Sequence, residues 1–262
     1  MPDDTSVTVF SINQATRASF PDLYFNRSVL FFIQRGSKFV QTSAQGGIVG
    51  EKGDLMVFPH GAMVTMENRP QMNEGYCAVG LSLGQELVDA AYEGMPARQS
   101  ARQVQLLRAI PHQPENMLAL LRDTLENRKL PPEIRAHRLR EPLIWLRSRG
   151  IVLPTHIAHD AASKLRVLFE GDLSHSWRVE EGAAHLAMSP ATLRRRLAST
   201  GHSFSKLLIQ TRLEHGLLRL QTGEEQISEI ALACGFKTPS HFSDAFRKRF
   251  AIRPIDIRLA AD

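Results

Sequence analysis

Two segments near the C-terminus carry hydroxyl, proline and cationic residues in the same order, about fifty residues apart. In the first, Ser189-Pro190 precedes Arg194-Arg195-Arg196, and in the second, Thr238-Pro239 precedes Arg247-Lys248-Arg249. A Ser or Thr before Pro is typical of a helix start, because its oxygen can accept a hydrogen bond from a free backbone N–H while Pro occupies the first helical position. Guanidinium groups on an exposed helix face can bind guanine edges or phosphates. The pattern therefore predicts two short helices suited to contacting nucleic acid.

Each predicted helix follows another apolar segment with helical spacing, so each belongs to a pair. The apolar positions of the first pair are Val179, Ala183, Ala184, Leu193 and Leu197, and those of the second are Ile227, Ile230, Ala231, Phe242, Phe246 and Phe250. Gly235 supplies the backbone freedom that a tight turn requires. A long helix over about 203–221 is predicted between the pairs. The sequence thus predicts two helix-turn-helix units on a rigid connector.

The charge is distributed unevenly along the 262 residues, whose formal net charge is +5. Residues 1–97 contain 6 Lys and Arg against 10 Asp and Glu, residues 98–160 contain 11 against 6, and residues 161–262 contain 15 against 11. An acidic region joined to basic ones is typical of a nucleic-acid-binding module attached to a different domain.

The remaining sequence predicts a β-rich domain followed by helices. Short apolar runs separated by turn residues fill residues 7–85 and favour a small barrel. Beyond residue 98, Val104, Leu107 and Ile110 recur at helical spacing, and two further helices follow, the last kinked or divided by Pro142. We expect domains at 1–97, 98–150 and 161–262, with a linker at 151–160.

Several classes of protein are disfavoured by composition. Cys77 and Cys234 are far apart and form no CxxC motif, which disfavours a disulfide framework or zinc ribbon. No apolar run of 18 residues occurs, and the N-terminus does not resemble a signal peptide. A reducing cytoplasm, with no membrane contact, is the expected setting.

Residues 161–258 resemble the DNA-binding domain of the AraC/XylS family of bacterial transcriptional regulators. The positions that carry the resemblance are Met188-Ser189-Pro190, Leu193, Arg195, Leu197, Gly201-His202-Ser203-Phe204, Arg212-Leu213, Ile227, Ile230-Ala231, Gly235-Phe236, Ser240-His241-Phe242, Phe246-Arg247, Phe250, Pro254 and Arg258. The chain departs from the family pattern at Gly182-Ala183, Ala251 and Ile257. Gly182 is expected to cost about 1 kcal/mol of helix stability relative to Ala.

The resemblance implies which residues contact DNA. By position, the base contacts are Ala191, Thr192, Arg194, Arg195, Pro239, Ser240, His241 and Asp244. The expected phosphate contacts are Arg196, Arg212, Arg247, Lys248 and Arg249. Asp244 can accept from cytosine, although an ion pair with Arg247 or Lys248 along the same helix is favoured.

The N-terminal region resembles the cupin-like sensor barrel of the same family, through Arg35-Gly36, Gly53-Asp54 and Phe58-Pro59-His60-Gly61. The overall fold class is therefore expected to be α+β, with an N-terminal cupin-like β-barrel, helical dimerisation segment and C-terminal all-α domain. Arg17, Arg35 and Lys38 are candidates for holding an anionic effector, with a solvated surface as the alternative for each.

Function follows as a set of expectations from the resemblance. It implies a transcription regulator, more often an activator, that binds double-stranded promoter DNA, contacts RNA polymerase and forms a homodimer. The effector is a small molecule or a protein. A cupin-type enzyme fused to a helical module is the alternative. It is disfavoured because residues 1–95 contain one histidine, His60, so neither a metal nor another cofactor is expected.

Overall fold

The computed structural model describes residues 7–42, 45–92, 103–127, 129–155 and 160–258. Contacts divide the chain into two compact units, residues 1–157 and 158–262. The first is β-rich with helices and the second is helical, in agreement with the α+β expectation. Within the described ranges, no helix combines the length and apolar character needed to cross a bilayer.

Two antiparallel sheets form the N-terminal unit. The strands and helices are β1 (Val7–Gln14), β2 (Ala18–Tyr24), β3 (Ser28–Arg35), β4 (Ser37–Thr42), β5 (Gln45–Gly50), β6 (Leu55–Phe58), β7 (Met63–Arg69), β8 (Tyr76–Leu83), α1 (Gln85–Ala91), β9 (Gln105–Leu107), α2 (Ala109–His112), α3 (Pro114–Glu126) and α4 (Pro132–Ser148). One sheet has the order β1-β8-β3-β6-β9 and the other β2-β7-β4-β5. The expected barrel is thus two sheets, and the described strands do not close into a ring.

Strand β3 is buried on both faces, which explains its unbroken apolar run. Leu30 and Phe32 pack against α3 and α4 through a core that includes Leu121 and Leu143. On the opposite face, the Phe31 ring lies 4.8 Å from the Nζ of Lys38, which is on the second sheet. One face of the larger sheet is therefore covered by helices and the other by the second sheet.

Three expectations about this unit are corrected by the structure. The predicted helix containing Val104 and Leu107 is the short strand β9, which pairs with the sheet edge at β6. Strand β2 was not predicted, because Pro21 and a bulge between Phe20 and Leu23 interrupt its alternation. Helix α4 continues through Pro142, since Leu139, Leu143 and Leu146 remain buried along one side.

The boundary of the linker also differs from the expectation of 151–160. Ile151 and Leu153 are buried in the N-terminal core together with the helices of 98–150. Those helices therefore belong to the same compact unit as the sheets. Residues 98–102 and 156–159 of the predicted segments lie outside the described residues.

The C-terminal unit contains six helices and a terminal 3-10 turn within residues 160–258. They are α5 (Ala161–Gly171), α6 (Val179–His185), α7 (Pro190–Ala198), α8 (Phe204–Thr222), α9 (Ile227–Ala233), α10 (Pro239–Phe250) and the turn Pro254–Ile257. Helices α6 and α7 form the first helix pair, α9 and α10 form the second, and α8 connects them. This order matches the expected tandem arrangement.

Arg258 holds the end of α8 against the C-terminal turn. Its guanidinium donates hydrogen bonds to the carbonyls of Leu220 at 3.1 Å and Gly223 at 2.7 Å, among others. These carbonyls lie at the C-terminal end of the helix, where intrahelical donors are missing and a cation is favoured. Ile257, one of the positions at which the chain departs from the family pattern, is fully buried.

Candidate nucleic-acid interface

In each pair we call the first helix (α6 or α9) the inner helix and the second (α7 or α10) the outer helix. Both outer helices begin at the predicted caps. The Ser189 hydroxyl accepts from the backbone N–H of Thr192 at 3.2 Å, and the Thr238 hydroxyl accepts from that of His241 at 3.2 Å. Pro190 and Pro239 occupy the first helical positions. The first turns of α7 and α10 are therefore fixed by their own residues.

The turns within the two pairs use the same backbone hydrogen bonds. In the first, the N–H of Ala187 donates to Ala184 O and that of Met188 to Ala183 O. In the second, Gly235 and Phe236 donate to Leu232 O and Ala231 O. Both Ala187 and Gly235 adopt positive φ, at 52° and 77°. This bond from two residues beyond the helix end back to its last turn is a recurrent C-terminal cap.

The inner helices are capped by glutamates that the sequence analysis did not identify. Glu181 accepts from the backbone N–H of Arg178 at 2.7 Å, and Glu229 accepts from that of Gln226 at 3.0 Å. This hydrogen bond lowers the pKa of Glu181. A Glu three residues after the N-cap position could have indicated these helix starts. It forms one half of a capping box, whose other half, a Ser or Thr at the N-cap, is missing here.

The apolar side of each outer helix is buried, as predicted. Leu193 and Leu197 of α7 are at most 1% exposed. In α10, the rings of Phe242, Phe246 and Phe250 follow one another with centroids 5.5 Å and 4.8 Å apart. The orientation of each outer helix is fixed by this packing, so its other side is presented to solvent.

The predicted base-contacting residues lie on those solvent-facing sides. The exposed ones are Ala191, Arg194, Arg195, Pro239, Ser240, His241 and Asp244. Thr192 is half-buried, and its hydroxyl accepts from that of Ser189 at 2.9 Å. Within each helix, the structure brings the predicted residues together on one side.

Two of the exposed cations are paired with carboxylates. Arg194 Nη2 lies 3.6 Å from Glu180 Oε1, an ion pair across the first helix pair that the sequence analysis missed because the residues are far apart in sequence. Arg247 Nη2 lies 3.6 Å from Asp244 Oδ1, as the spacing of three residues predicted. All four side chains are more than 60% exposed, so these pairs contribute little stability and can exchange for phosphate or base.

The five predicted phosphate contacts divide into two groups. Arg196, Arg247 and Lys248 are exposed. Arg249 instead has a side chain only 15% exposed, with its Nη2 3.9 Å from Glu214 Oε1. Arg212 donates to the backbone carbonyls of Leu173 at 2.9 Å and His175 at 2.8 Å. The structure thus places Arg212 and Arg249 in internal contacts, which corrects the expectation of outward-facing groups.

Gly182 has a packing role that its helix propensity did not indicate. A methyl group there would lie 2.7 Å from Cε2 of Phe204 and 3.0 Å from Cδ2 of Leu165. The absence of a side chain lets α6 approach the core of the first helix pair closely. The expected propensity cost of about 1 kcal/mol is therefore accompanied by packing that alanine would disturb.

The candidate effector residues of the N-terminal unit lie in different surroundings. Arg17 is exposed and pairs with Glu67. Lys38 is 1% exposed, and its Nζ donates to Asn68 Oδ1 at 2.6 Å, while Asn68 donates to Gln14 Oε1 at 2.8 Å. Glu67 and Asn68 are successive residues of β7, and their side chains point to opposite faces. Arg17 and Lys38 are therefore on opposite sides of the second sheet.

Lys38 is a buried cation between two sheets. Its Nζ is 4.8 Å from the Phe31 centroid and 5.1 Å from that of Tyr76. Burial lowers the pKa of Lys38 to about 7. Arg35, the third candidate, is half-buried at the end of β3. In the described residues no cluster of three His, Cys, Asp or Glu side chains suitable for a metal is present.

Comparison with known proteins places the similarity mainly in the C-terminal unit. Residues 183–260 match a family model described as a helix-turn-helix domain. The chain is 38% identical over 84 residues to the transcriptional regulator SirC of Salmonella typhimurium, covering 32% of this chain and 28% of SirC. It is 36% identical over 93 residues to the transcriptional activator AggR of Escherichia coli, covering 36% and 35%. The chain thus matches about a third of the length of these relatives.

The fold as a whole is similar to a solved structure. Unsaturated fatty acid bound wild-type ToxT from Vibrio cholerae aligns with a TM-score of 0.67 over 98% of this chain and 97% of that one, at 16% identity. Such a likeness establishes the shared architecture of β-rich and helical units. The family model, by contrast, matches residues 183–260 of the C-terminal unit.

Proposed function

We propose that the protein is a sequence-specific DNA-binding transcription regulator of the AraC/XylS type, and an activator rather than a repressor, because residues 183–260 match a helix-turn-helix domain and the chain is similar to a transcriptional regulator. The observation that supports this most is the pair of capped helices, α7 and α10, each buried along its apolar side. Their exposed first turns are available to the major groove, where base edges differ between sequences.

The two outer helices have different roles in this proposal. Arg194 and Arg195 of α7 read bases, because a guanidinium can donate to guanine O6 and N7 together. Ser240 and His241 of α10 read bases with shorter side chains. Arg196, Arg247 and Lys248 contact phosphates, which fixes the position of the protein on the duplex.

The experiment selects duplexes from a random-sequence pool with the full chain and measures affinity for the selected DNA at several salt concentrations. Binding is expected to weaken steeply with salt because phosphate contacts release counterions. Replacing Arg196 by Ala is expected to reduce the salt slope by about 1 without altering base preference. Failure to enrich any sequence would contradict the proposal.

For the N-terminal unit, we propose that a small effector with an anionic group binds between the sheets at Lys38. Pairing with an anion would offset the cost of burying this cation. An unsaturated fatty acid, the ligand of the ToxT structure, is the first probe. It is expected to raise the melting temperature of wild-type protein and not that of the Lys38→Met variant. An equal shift in both would contradict the assignment of Lys38.

The Lys38→Met variant also tests, without any ligand, how the burial of Lys38 affects the free energy of unfolding. The unfolded amine titrates near 10.5 and the buried one near 7, so the unfolded state binds more protons between these values. Wild-type stability should therefore rise with pH across that window, and Lys38→Met should remove the rise. Below pH 7 the variant is expected to be more stable by about 2–4 kcal/mol. Denaturant unfolding at pH 6 and pH 9 measures the difference.

A regulator of this kind is also expected to have partners besides DNA, namely a second copy of the chain and RNA polymerase. We propose a homodimer formed through the helices of 98–150, where Ile134 and Ile144 of α4 are exposed apolar side chains. The protein acts on promoter DNA with RNA polymerase, in the cytoplasm. Light scattering of wild-type protein and the Ile144→Glu variant tests the dimer, and a monomeric wild type would contradict it.

A further inference from the structure

Arg212 lies between the segment that leads into α6 and the turn of the second helix pair. It is on the connector α8, and its guanidinium donates to the carbonyls of Leu173 and His175 in the segment that leads into α6. On the other side is the turn of the second pair. A methyl group on Gly235 would come within 2.6 Å of Arg212 Nη2 and would overlap the Leu173 carbonyl oxygen. One side chain therefore contacts elements that position both pairs.

The segment held by Arg212 is itself cross-linked. Asp172 accepts from the backbone N–H groups of Ser174 and His175, each at 3.0 Å, and the Ser174 hydroxyl lowers its pKa. Trp177 Nε1 donates to Asp172 O at 2.8 Å, and His175 Nε2 is 3.0 Å from Glu181 Oε1 on α6. A displacement of this segment would thus be transmitted directly to the first helix pair.

A groove of about 420 Å³ lies beside this junction. Ser176 and Trp177 line it from the segment that leads into α6, Phe236 and His241 from the second pair, and Arg212 from the connector. Since His241 is also a proposed base contact, the junction and the reading surface of α10 are adjacent. Movement at the groove would change the separation of the outer helices.

We propose that Arg212 is a positioning residue that sets the spacing between the two DNA-reading helices, and that it does not contact phosphate. This inference rests on the proposed DNA-binding function. Two readers held at fixed separation accept half-sites at one spacing, because successive major-groove faces recur with the helical repeat of DNA. The planar guanidinium is suited to this role since it donates to two carbonyls at once, whereas a lysine ammonium lacks that fixed geometry.

The test uses the full chain and a duplex selected by wild-type protein. From it, two further duplexes are made, with one base pair inserted or removed between the half-sites. Wild-type protein is expected to bind both at least tenfold more weakly than the parent. Arg212→Lys is expected to bind the parent more weakly but to reduce this discrimination to less than threefold, with the salt slope unchanged.

The control variant is Lys206→Gln, at an exposed position of α8 to which no DNA contact is assigned, and it is expected to retain the full spacing discrimination. Arg212→Gln provides a second variant whose amide can donate to one carbonyl, and melting curves establish that each variant is folded. Unchanged discrimination in folded Arg212→Lys and Arg212→Gln, or a salt slope lowered by about 1 in Arg212→Gln, would overturn the inference. Selection of a single half-site by wild type would also overturn it, whereas selection of no sequence would instead contradict the proposed function.

Discussion

The first helix pair turns at Ala187, whereas the second turns at Gly235, although both residues have positive φ and equivalent hydrogen bonds. Alanine costs about 1–2 kcal/mol in this left-handed conformation because of its Cβ. Glycine avoids this cost at Gly235, where a Cβ would also overlap Leu173. The same turn is therefore strained in the first pair and sterically required to be glycine in the second.

The two pairs also differ in the charge of their exposed side chains. Helix α7 presents three consecutive arginines, 194 to 196, while the first turns of α10 present Ser240, His241 and Asp244. The less optimal turn thus accompanies the more cationic reading helix. Under the proposed function, the exposed cations of α10, Arg247 and Lys248, lie in its last turn, beyond Ser240 and His241.

The largest expected effect is that of Gly235→Ala. Both the positive φ and the overlap with the Leu173 carbonyl oppose the added methyl group, so we expect destabilisation by about 3 kcal/mol. Gly201→Ala is the matched control, because Gly201 has a φ of 75° but open space around its Cβ position. That variant should lose only about 1 kcal/mol. Equal losses in thermal or denaturant unfolding would show that no close contact exists at Gly235.

Replacing one reader from each pair compares their surfaces directly. Arg195→Ala is expected to weaken binding to selected DNA by about 1–3 kcal/mol and to relax base preference in one half-site. Arg194→Ala should act in the same range. His241→Ala should cost less than either arginine substitution. If His241→Ala were the more damaging variant, the assignment of the dominant readers to the first pair would be wrong.

Glu214 on α8 contacts both α5 and α10, and it provides a pH test of this packing. Its Oε2 is 2.7 Å from Arg166 on α5, and Arg249 on α10 is nearby. Despite both cations and neighbouring His215, burial raises the pKa of Glu214 to about 7. The folded state therefore binds more protons than the unfolded state between about pH 4.5 and 7, so the stability contributed by Glu214 falls as pH rises.

Glu214→Gln should flatten this fall, which we expect to be about 2 kcal/mol. Unfolding measured at pH 5 and pH 8 tests the expectation. His215 is adjacent to Glu214 in the sequence and lies 3.4 Å from Glu170, so His215→Gln serves as the control. A wild-type decline that persists in Glu214→Gln and disappears in His215→Gln would contradict the assignment to Glu214.

The smallest expected effect is that of removing the strain from the first pair. Ala187→Gly should stabilise the C-terminal unit by about 1 kcal/mol, because glycine adopts the left-handed conformation without the Cβ penalty. Ala251, with a φ of 57° at the end of α10, should respond similarly. Thermal unfolding of the single and double glycine variants measures this, and a loss of stability at both positions would contradict the strain.

Local patterns made the helical unit predictable. Caps at Ser189 and Thr238 and the four-residue spacing of Phe242, Phe246 and Phe250 depend on hydrogen bonds and packing within one helix, which sequence spacing encodes. Strands were less predictable, because β2 contains Pro21 and a bulge, and β9 forms only through pairing with β6. The candidate readers on the outer helices came from the family resemblance, and periodicity indicated only which sides of those helices are exposed. Glu180 as the partner of Arg194 had no local signal.

By itself, the sequence determined the two capped helix pairs, their buried faces and the tandem order, because each of these depends on residues within a few turns of one another. Only the tertiary structure decided which cations face outward. Arg212 and Arg249 are cations on helices of the C-terminal unit, yet their guanidinium groups are directed to the Leu173 carbonyl and to Glu214. The periodicity of a sequence shows which residues share one face of a helix. It does not show whether that face is covered, because the covering element comes from a distant part of the chain.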